Sequence, residues 1–398
     1  MSLAQGRHYL AIPGPSVVPD RVLAAMHRPA PNIYTGELLE LTHSLFPDLR
    51  QLAGTRHEPV IYIANGHGAW EAALANTLSR GDRVLVVGTG RFAAGWGQIA
   101  TGMGVEVETL EFGLRAAADP QALTEALAAD RDHAIRAVLV VQVDTASGVR
   151  NDIRALRRAM DEAEHPALLM VDCIASMGVE RFEMDAWGVD VAVTGSQKGL
   201  MLPPGLGFVF YNERADRARD RANCVTAYWD WRARTNPEIY YQYFCGTPPT
   251  HMLFGLRESL DMIAEEGLQN VWTRHQILAH AVWEACEAWG SEGPMEFNIA
   301  DRARRSHAVT SMRLTAPHGT ELREWLTANA GVTLGIGIGM VAPEDPEWHR
   351  FFRIGHMGHV NAHMVLGTLA SIDAGLKALS LPHGPGALEA AARVVAQV

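Results

Sequence analysis

Cysteine is scarce. Only Cys173, Cys224, Cys245 and Cys286 occur in 398 residues, and no two form a Cys-x-x-Cys pair. That fits reduced thiols in a cytoplasmic setting better than a disulfide framework. Positive charge is short as well: 34 Lys and Arg stand against 45 Asp and Glu, a formal net charge of −11. Such a balance argues against a nucleic-acid or anionic-membrane partner, while leaving room for small anionic substrates held by a few local cations. No stretch reaches the roughly 18 uninterrupted apolar residues of a membrane span. The opening MSLAQGRHYLAIPGP lacks a signal peptide's apolar core and soon meets two prolines. Internal repeats and low-complexity tracts are missing too. So is a Walker loop, because no Gly-Lys-Ser/Thr follows any glycine turn.

What the chain does contain is apolar residues, 48% of the total, enough for a large core. Its length suits a two-domain α/β protein. Short apolar runs at 60–64, 83–87, 137–143, 167–172, 189–194 and 207–211 alternate with helical patterns at 69–78, 120–129 and 152–164. This reads as a mainly parallel sheet covered by helices. The run at 207–211 follows Pro203-Pro204-Gly205, a turn signal that allows an antiparallel neighbour. Asn151 is placed to cap the helix that follows it. Residues 222–250 change character, with Tyr228, Trp229, Trp231, Tyr240, Tyr241, Tyr243 and Phe244 crowded among prolines. Helical patterns at 251–266 and 270–289 come next, then a mixed region from 309–314 to 351–354. The expected division is an N-terminal segment (1–20), a large domain (21–260) and a smaller C-terminal α+β domain (261–398), with the boundary near 255–270. Ile12-Pro13-Gly14-Pro15 is expected to cross to the small domain or the pocket entrance.

The residues that carry chemistry gather at the ends of the apolar runs. Lys198, in Ser196-Gln197-Lys198-Gly199, follows one run, and Asp172 closes the run before it, 198 − 172 = 26 residues upstream. A lysine facing a carboxylate at neighbouring strand ends is the pairing a pyridoxal-phosphate enzyme needs. The amine joins the cofactor aldehyde, and the carboxylate keeps the pyridine nitrogen protonated. Asn65-Gly66-His67-Gly68 opens a helix after a strand, where small residues and the helix dipole suit a phosphate. Phe92, in Gly88-Thr89-Gly90-Arg91-Phe92, can stack on a flat ring. The Thr145 hydroxyl can hydrogen-bond the cofactor, Ile174 can support the second ring face, and Gln197 can bond cofactor oxygens. Thr247 can reach a phosphate, and Arg353 can hold a substrate carboxylate through two hydrogen bonds. Each has a bland counterpart: a strand–helix turn, a core phenylalanine, a capping threonine, a surface arginine. A nicotinamide loop fails because Gly88 starts no GxGxxG, and Gly335-Ile336-Gly337-Ile338-Gly339 opens no evident helix. His356, His359 and His363 have helix-like spacing but no carboxylate at ligand spacing, so no metal is expected.

With these residues in place, the chain resembles the class V aminotransferases, and among them the alanine–glyoxylate and serine–glyoxylate enzymes. The resemblance rests on IPGPSVVP, NGHGAWEAAL, GTGRF, DTASGV, VDCIASMG, TGSQKGLMLPPGLGFV, LRESLDMIAEEGLQNVWTRH and RIGHMG. It implies the fold-type I pyridoxal-phosphate architecture, with a mostly parallel seven-stranded type of sheet in the large domain. It also implies a homodimer with active sites at the subunit interface. By motif, Lys198 and Asp172 become catalytic. Gly66, His67, Phe92, Thr145, Ile174, Gln197 and Thr247 bind pyridoxal 5′-phosphate, Thr247 in the other subunit's site, and Arg353 binds substrate. The chain departs from the pattern at Phe244, where relatives commonly carry Tyr, and at Ile33-Tyr34-Thr35-Gly36, where serine–glyoxylate enzymes often have His-Arg-Ser-Pro.

The function expected is transamination by a ping-pong mechanism, from alanine or serine to glyoxylate or pyruvate. Three other readings stay open. One is a pyridoxamine–pyruvate transaminase, which takes free pyridoxamine and lacks the usual phosphate anchorage. Another is a lyase or desulfurase of the same fold, though no cysteine occupies a late loop. The last is a non-catalytic protein on the same scaffold.

Overall fold

The computed structural model describes residues 2–235 and 237–397. Met1 and Val398, the outermost residues of the expected terminal units, lie outside the described residues, as does Asn236 of the aromatic segment. The strands in chain order are β1 (Tyr9–Ala11), β2 (Pro59–Ala64), β3 (Arg83–Gly88), β4 (Glu106–Glu111), β5 (Ile135–Val141), β6 (Val143–Asp144) and β7 (Val149–Arg150). They continue as β8 (Leu168–Asp172), β9 (Val191–Gly195), β10 (Gly205–Tyr211), β11 (Glu296–Phe297), β12 (Val309–Arg313), β13 (Val332–Ile336) and β14 (Phe351–Gly355).

Seven strands form one sheet in the order β2-β10-β9-β8-β5-β3-β4. All neighbours from β9 to β4 pair in parallel. β10 runs antiparallel to both β9 and β2, as the Pro-Pro-Gly turn before it allows. Away from the edge strand β4 both faces are buried, so those strands read as continuous apolar runs. Alternate residues separate cleanly. Val138 and Val140 face the core under the helices Glu37–Ala53, Pro120–Ala129 and Ile153–Glu162. Ala137, Leu139 and Val141 face the core under Gly66–Thr77 and Arg91–Gly102. A second sheet, β1-β13-β14-β12-β11, is covered by Leu268–Gly290, His318–Asn329, Ala362–Ala378 and Ala387–Val395 around its own apolar core. Among the described residues no helix is long and apolar enough to cross a membrane.

Some expectations need correction. The run 137–143 is not one strand. β5 stops at Val141, and Val143–Asp144 turns back on Val149–Arg150 as a separate hairpin. The reason is local: Gly148 adopts φ +79°, its N–H bonds the Asp144 carbonyl at 2.8 Å, and Asp144 Oδ1 accepts from Ala146 N. Asn151 does not cap the next helix. Asp152 does, accepting from Ala155 N at 3.0 Å. Asn151 is buried instead, accepting from Ala118 N and donating to Val141 O and Thr89 Oγ1. Strand β4 escapes the apolar pattern because it is an exposed edge, guarded by Glu106, Glu108 and Glu111. The helix Arg91–Gly102 escapes it because glycine at 95, 97 and 102 depresses helix propensity. Packing overrides that, since a Cβ on Gly97 would press Val86 at 3.1 Å.

These two adjacent residues are expected to behave differently on mutation. Asn151→Ala strands two backbone groups in the core and should cost about 3 kcal/mol, whereas Asp152→Ala removes an exposed cap worth about 1 kcal/mol. Urea unfolding of both variants measures the difference.

Candidate active site

In an open α/β sheet, ligands bind where the carboxyl ends of the strands meet. That edge here carries the ends of β2, β3, β5, β8 and β9. The residues just beyond them line one recess: Gly66, His67, Trp70, Phe92, Val143, Thr145, Asp172, Ile174, Ala175, Gln197 and Lys198. About 450 Å³ of it is unfilled by atoms, part of it open to solvent. Ten of the expected site residues can thus be checked by position. Eight, from Gly66 to Lys198, come together in the recess. Arg353 stands beside it, and Thr247 does not join it, being exposed on another part of the surface.

Lys198 is one of only two lysines in the chain, and the other, Lys377, is exposed and paired with Asp373. The Lys198 side chain is largely enclosed and only partly exposed, and its Nζ donates to the Pro13 carbonyl. The N-terminal strand β1 joins the second sheet through β13, and the chain then passes directly over this amine. Ser16 ties the crossing down, its N–H bonding Gln197 O at 2.9 Å and its hydroxyl bonding Lys198 O at 2.7 Å. Gly14 has φ +96°, and a Cβ there would lie 2.4 Å from Lys198 Nζ. The crossing expected of residues 12–15 therefore reaches both the second sheet and the pocket. Burial pushes the Lys198 amine down to about 8, the Arg353 charge pushes the same way, and Asp172 opposes them.

Asp172 ends β8, opposite Val141 on one side and Val193 on the other. Its Oδ1 accepts from Ile174 N at 2.6 Å and its Oδ2 from Trp70 Nε1 at 3.0 Å. Burial still raises its carboxyl to about 7, against those two hydrogen bonds. A second buried carboxylate, Asp144, accepts from the N–H groups of Phe92, Ala93 and Ala146 and so fixes the loop carrying the Phe92 ring. Arg353 comes from β14 of the other sheet. Its Nε donates to Ile336 O at 2.6 Å and its Nη1 to Thr145 O at 2.7 Å, which leaves Nη2 and one Nη1 hydrogen for a ligand. Burial lowers its guanidinium to about 10, so it stays charged at neutral pH. His67 is held below its usual value by burial and by the Arg91 charge.

The turn Asn65-Gly66-His67-Gly68 follows β2 and opens a helix, as expected. Asn65 caps the helix Gly66–Thr77 by accepting from the N–H groups of His67 and Gly68. The three histidines near the end of the chain do not share a helical face. His356 is buried between Thr310 Oγ1 and the His307 carbonyl, while His363 lies on the helix Ala362–Ala378. No group of three metal-ligating residues gathers among the described residues. Trp70, Asp144 and the Pro13 carbonyl were not singled out from the sequence. Trp70 lay inside the motif NGHGAWEAAL, four residues past Gly66, so helical spacing from that glycine was the available signal.

The sequence pattern of class-V aminotransferases matches residues 8–358. The chain belongs to that family. This aminotransferase is 37% identical over 398 aligned residues to the serine–glyoxylate aminotransferase of Methylorubrum extorquens, covering 97% of this chain and 95% of the relative. It is 35% identical to the L-aspartate–glyoxylate aminotransferase of Paracoccus denitrificans, covering 96% and 94%. In three dimensions it matches the pyridoxamine–pyruvate aminotransferase of Mesorhizobium loti with a TM-score of 0.88, 26% identity and full coverage of both chains. The fold is therefore the fold-type I architecture of pyridoxal-phosphate-dependent transferases.

Family and fold imply pyridoxal 5′-phosphate, and the residues present fit it. Asp172 is a buried carboxylate whose hydrogen-bond donors among the described residues are an indole N–H and a backbone N–H, neither of them a cation, which suits a protonated ring nitrogen. Gln197 Oε1 is buried in the wall of the recess without a hydrogen-bond partner, so a polar ligand group would satisfy it. Lys198 supplies an amine deprotonated more readily than an ordinary lysine.

Folding lowers the Lys198 pKa from 10.5 to about 8. Its contribution to stability is therefore present above 10.5 and lost as pH falls through about 8. In the cofactor-free protein, modification of Lys198 by an amine reagent should titrate with a midpoint near 8, read by peptide mass spectrometry with Lys377 as internal reference. Cofactor-free Lys198→Met should resist urea better than wild type at pH 6, and the advantage should shrink as pH rises. A Lys198 midpoint at 10.5 would overturn both expectations.

Proposed function

We propose that this aminotransferase carries the amino group of a small amino acid, alanine or serine, to a small 2-oxo acid, glyoxylate or pyruvate. The two half-reactions are ping-pong, on one pyridoxal 5′-phosphate. The observation that carries the reading is the approach of Arg353 to the recess of Lys198 and Asp172, with a guanidinium edge left over after its two carbonyl contacts. A carboxylate bound there in bidentate fashion holds a substrate's amino and α-carbon end toward Lys198.

When bound, the cofactor supplies an aldehyde carbon that takes up amines and a ring that draws electrons from them. Lys198 would hold that carbon, and its Nζ would move a proton between the substrate Cα and that same carbon. Asp172 accepts from the ring nitrogen and holds it protonated. Phe92 would cover one face of the ring and Ile174 the other. The Thr145 hydroxyl bonds the cofactor, while Gly66, His67 and Gln197 receive the phosphate at the start of a helix. Short substrates are favoured because the recess lining includes no arginine and no lysine besides Lys198. A donor with a second carboxylate would meet no free cation from this lining.

The same reading makes the protein a homodimer with shared sites. Thr247 lies outside its own chain's recess, on a segment whose Ile239 and Tyr241 are exposed, and Tyr228 bonds the Ile63 carbonyl beside it. An apolar surface of this kind favours a partner subunit, to whose phosphate Thr247 would reach. It also divides the chain into 1–20, 21–260 and 261–398, a division supported by the separate apolar cores of the two sheets. The full-length likeness to a pyridoxamine–pyruvate aminotransferase favours a second reading, in which free pyridoxamine donates to pyruvate. No observation favours a desulfurase, since no cysteine lines the recess.

Absorption spectra of the holoenzyme decide between these. A visible band should bleach with alanine or serine and return with glyoxylate, and Arg353→Lys should raise the KM for both donor and acceptor by at least about tenfold. Bleaching by aspartate in preference to both would overturn the short-donor reading. Turnover of free pyridoxamine with pyruvate, without bound phosphate cofactor, would establish the second reading.

A further inference from the structure

We propose that Trp70 is the positioning residue for Asp172, its indole N–H holding the carboxylate in the ionised form that faces the cofactor's ring nitrogen. The inference rests on the pyridoxal-phosphate reading and adds a residue that the reading does not use.

Each oxygen of the buried Asp172 carboxylate has one donor: Ile174 N on Oδ1 and Trp70 Nε1 on Oδ2. The first is backbone, so Trp70 is the only side-chain donor to Asp172 among the described residues. Asp144 shows the alternative. It is equally buried, and its partners are all backbone N–H groups. Asp172 must keep lone pairs open toward the recess, and a single fixed indole donor from the side does that while still offsetting part of the burial cost.

The indole is not free to turn. Trp70 is fully buried and stacks on Trp96 with centroids 6.0 Å apart and planes 15° from parallel. It meets Phe92 edge-on at 6.3 Å and His67 at 4.6 Å. One ring thus touches the neighbours of the cofactor's face, phosphate and nitrogen. Packing alone does not require the N–H. The adjacent Trp96 is as buried, and its Nε1 has no hydrogen-bond partner. A phenylalanine at 70 could fill the core; what it would lack is the donor.

The experiment titrates cofactor-free protein with pyridoxal 5′-phosphate and with the analogue in which the ring nitrogen is replaced by carbon, reading absorbance. Wild type should prefer the nitrogen ring. Trp70→Phe should shrink that preference by on the order of tenfold, the loss of a hydrogen bond to a charged group, with affinity for the carbon analogue held within about twofold. Asp172→Asn should shrink it too, and the double variant should go no further than Asp172→Asn alone. A merely structural role for Trp70 would weaken both ligands equally, and either that result or an unchanged preference overturns the proposal. If Trp70→Phe does not fold, replacing Trp70 with benzothienylalanine, sulfur for N–H at constant shape, makes the same comparison. Failure of wild type to bind pyridoxal 5′-phosphate at all would sink the cofactor reading itself, a result distinct from wild-type binding whose preference ignores Trp70.

Discussion

Two opposite charges taken out of water at one edge of a parallel sheet govern the rest of this structure. Asp172 and Lys198 both lie where β8 and β9 run out, and burial pushes each toward its neutral form. A protein tolerates such groups only where the surroundings hold them in place. The surroundings here are a tryptophan on the first helix after β2, a backbone crossing over the lysine, and an arginine sent from another sheet. A bound cofactor with an aldehyde at one end and a basic nitrogen at the other would answer both charges together.

The seam between the two sheets is the second constraint. The hairpin of β6 and β7 is too short to be a core element, yet the second sheet fastens to it. Arg353 bonds the Thr145 carbonyl, Ser311 the Ala146 carbonyl and Asn298 the Ser147 carbonyl. Three successive backbone carbonyls of a cofactor-side loop thus accept from the sheet that would present the substrate. Any shift of one sheet against the other changes the distance between Arg353 and Lys198. The N-terminal crossing adds a further tie, with β1 in one sheet and Ser16 bonded to the Lys198 loop of the other.

Much of this was legible before any coordinates. Strand ends at Asp172 and near Lys198 follow from apolar runs that stop at a charged residue, because a buried strand cannot carry a charge in its middle. The turn at Pro203-Pro204-Gly205 and the antiparallel β10 follow from backbone restrictions of proline and glycine. Less legible was everything set by cross-chain contact. Nothing in Asp144-Thr145-Ala146-Ser147-Gly148 says that its carbonyls will hold another sheet, or that the preceding strand ends at Val141 to make the hairpin. Asn151 and Asp152 are both good caps by residue type; only the buried N–H of Ala118, 33 positions upstream, decides which one turns inward. Exposed β4 and the glycine-rich helix Arg91–Gly102 left weak local signals, since one faces water and the other is held by packing.

The sequence by itself determined the class of architecture, the placing of Lys198 and Asp172 at neighbouring strand ends, and the family, because periodicity and strand-end chemistry are local properties of the chain. The tertiary structure alone decided that Trp70 holds Asp172, that Pro13 meets Lys198, and that Arg353 reaches the recess from a different sheet while Thr247 does not reach it from the same chain. Those are contacts between residues 102, 185 and 208 positions apart for the Trp70–Asp172, Lys198–Pro13 and Arg353–Thr145 pairs. Separations of that size carry no local pattern; they are set by how two independently buried cores dock, which is a property of the folded surfaces and not of any segment.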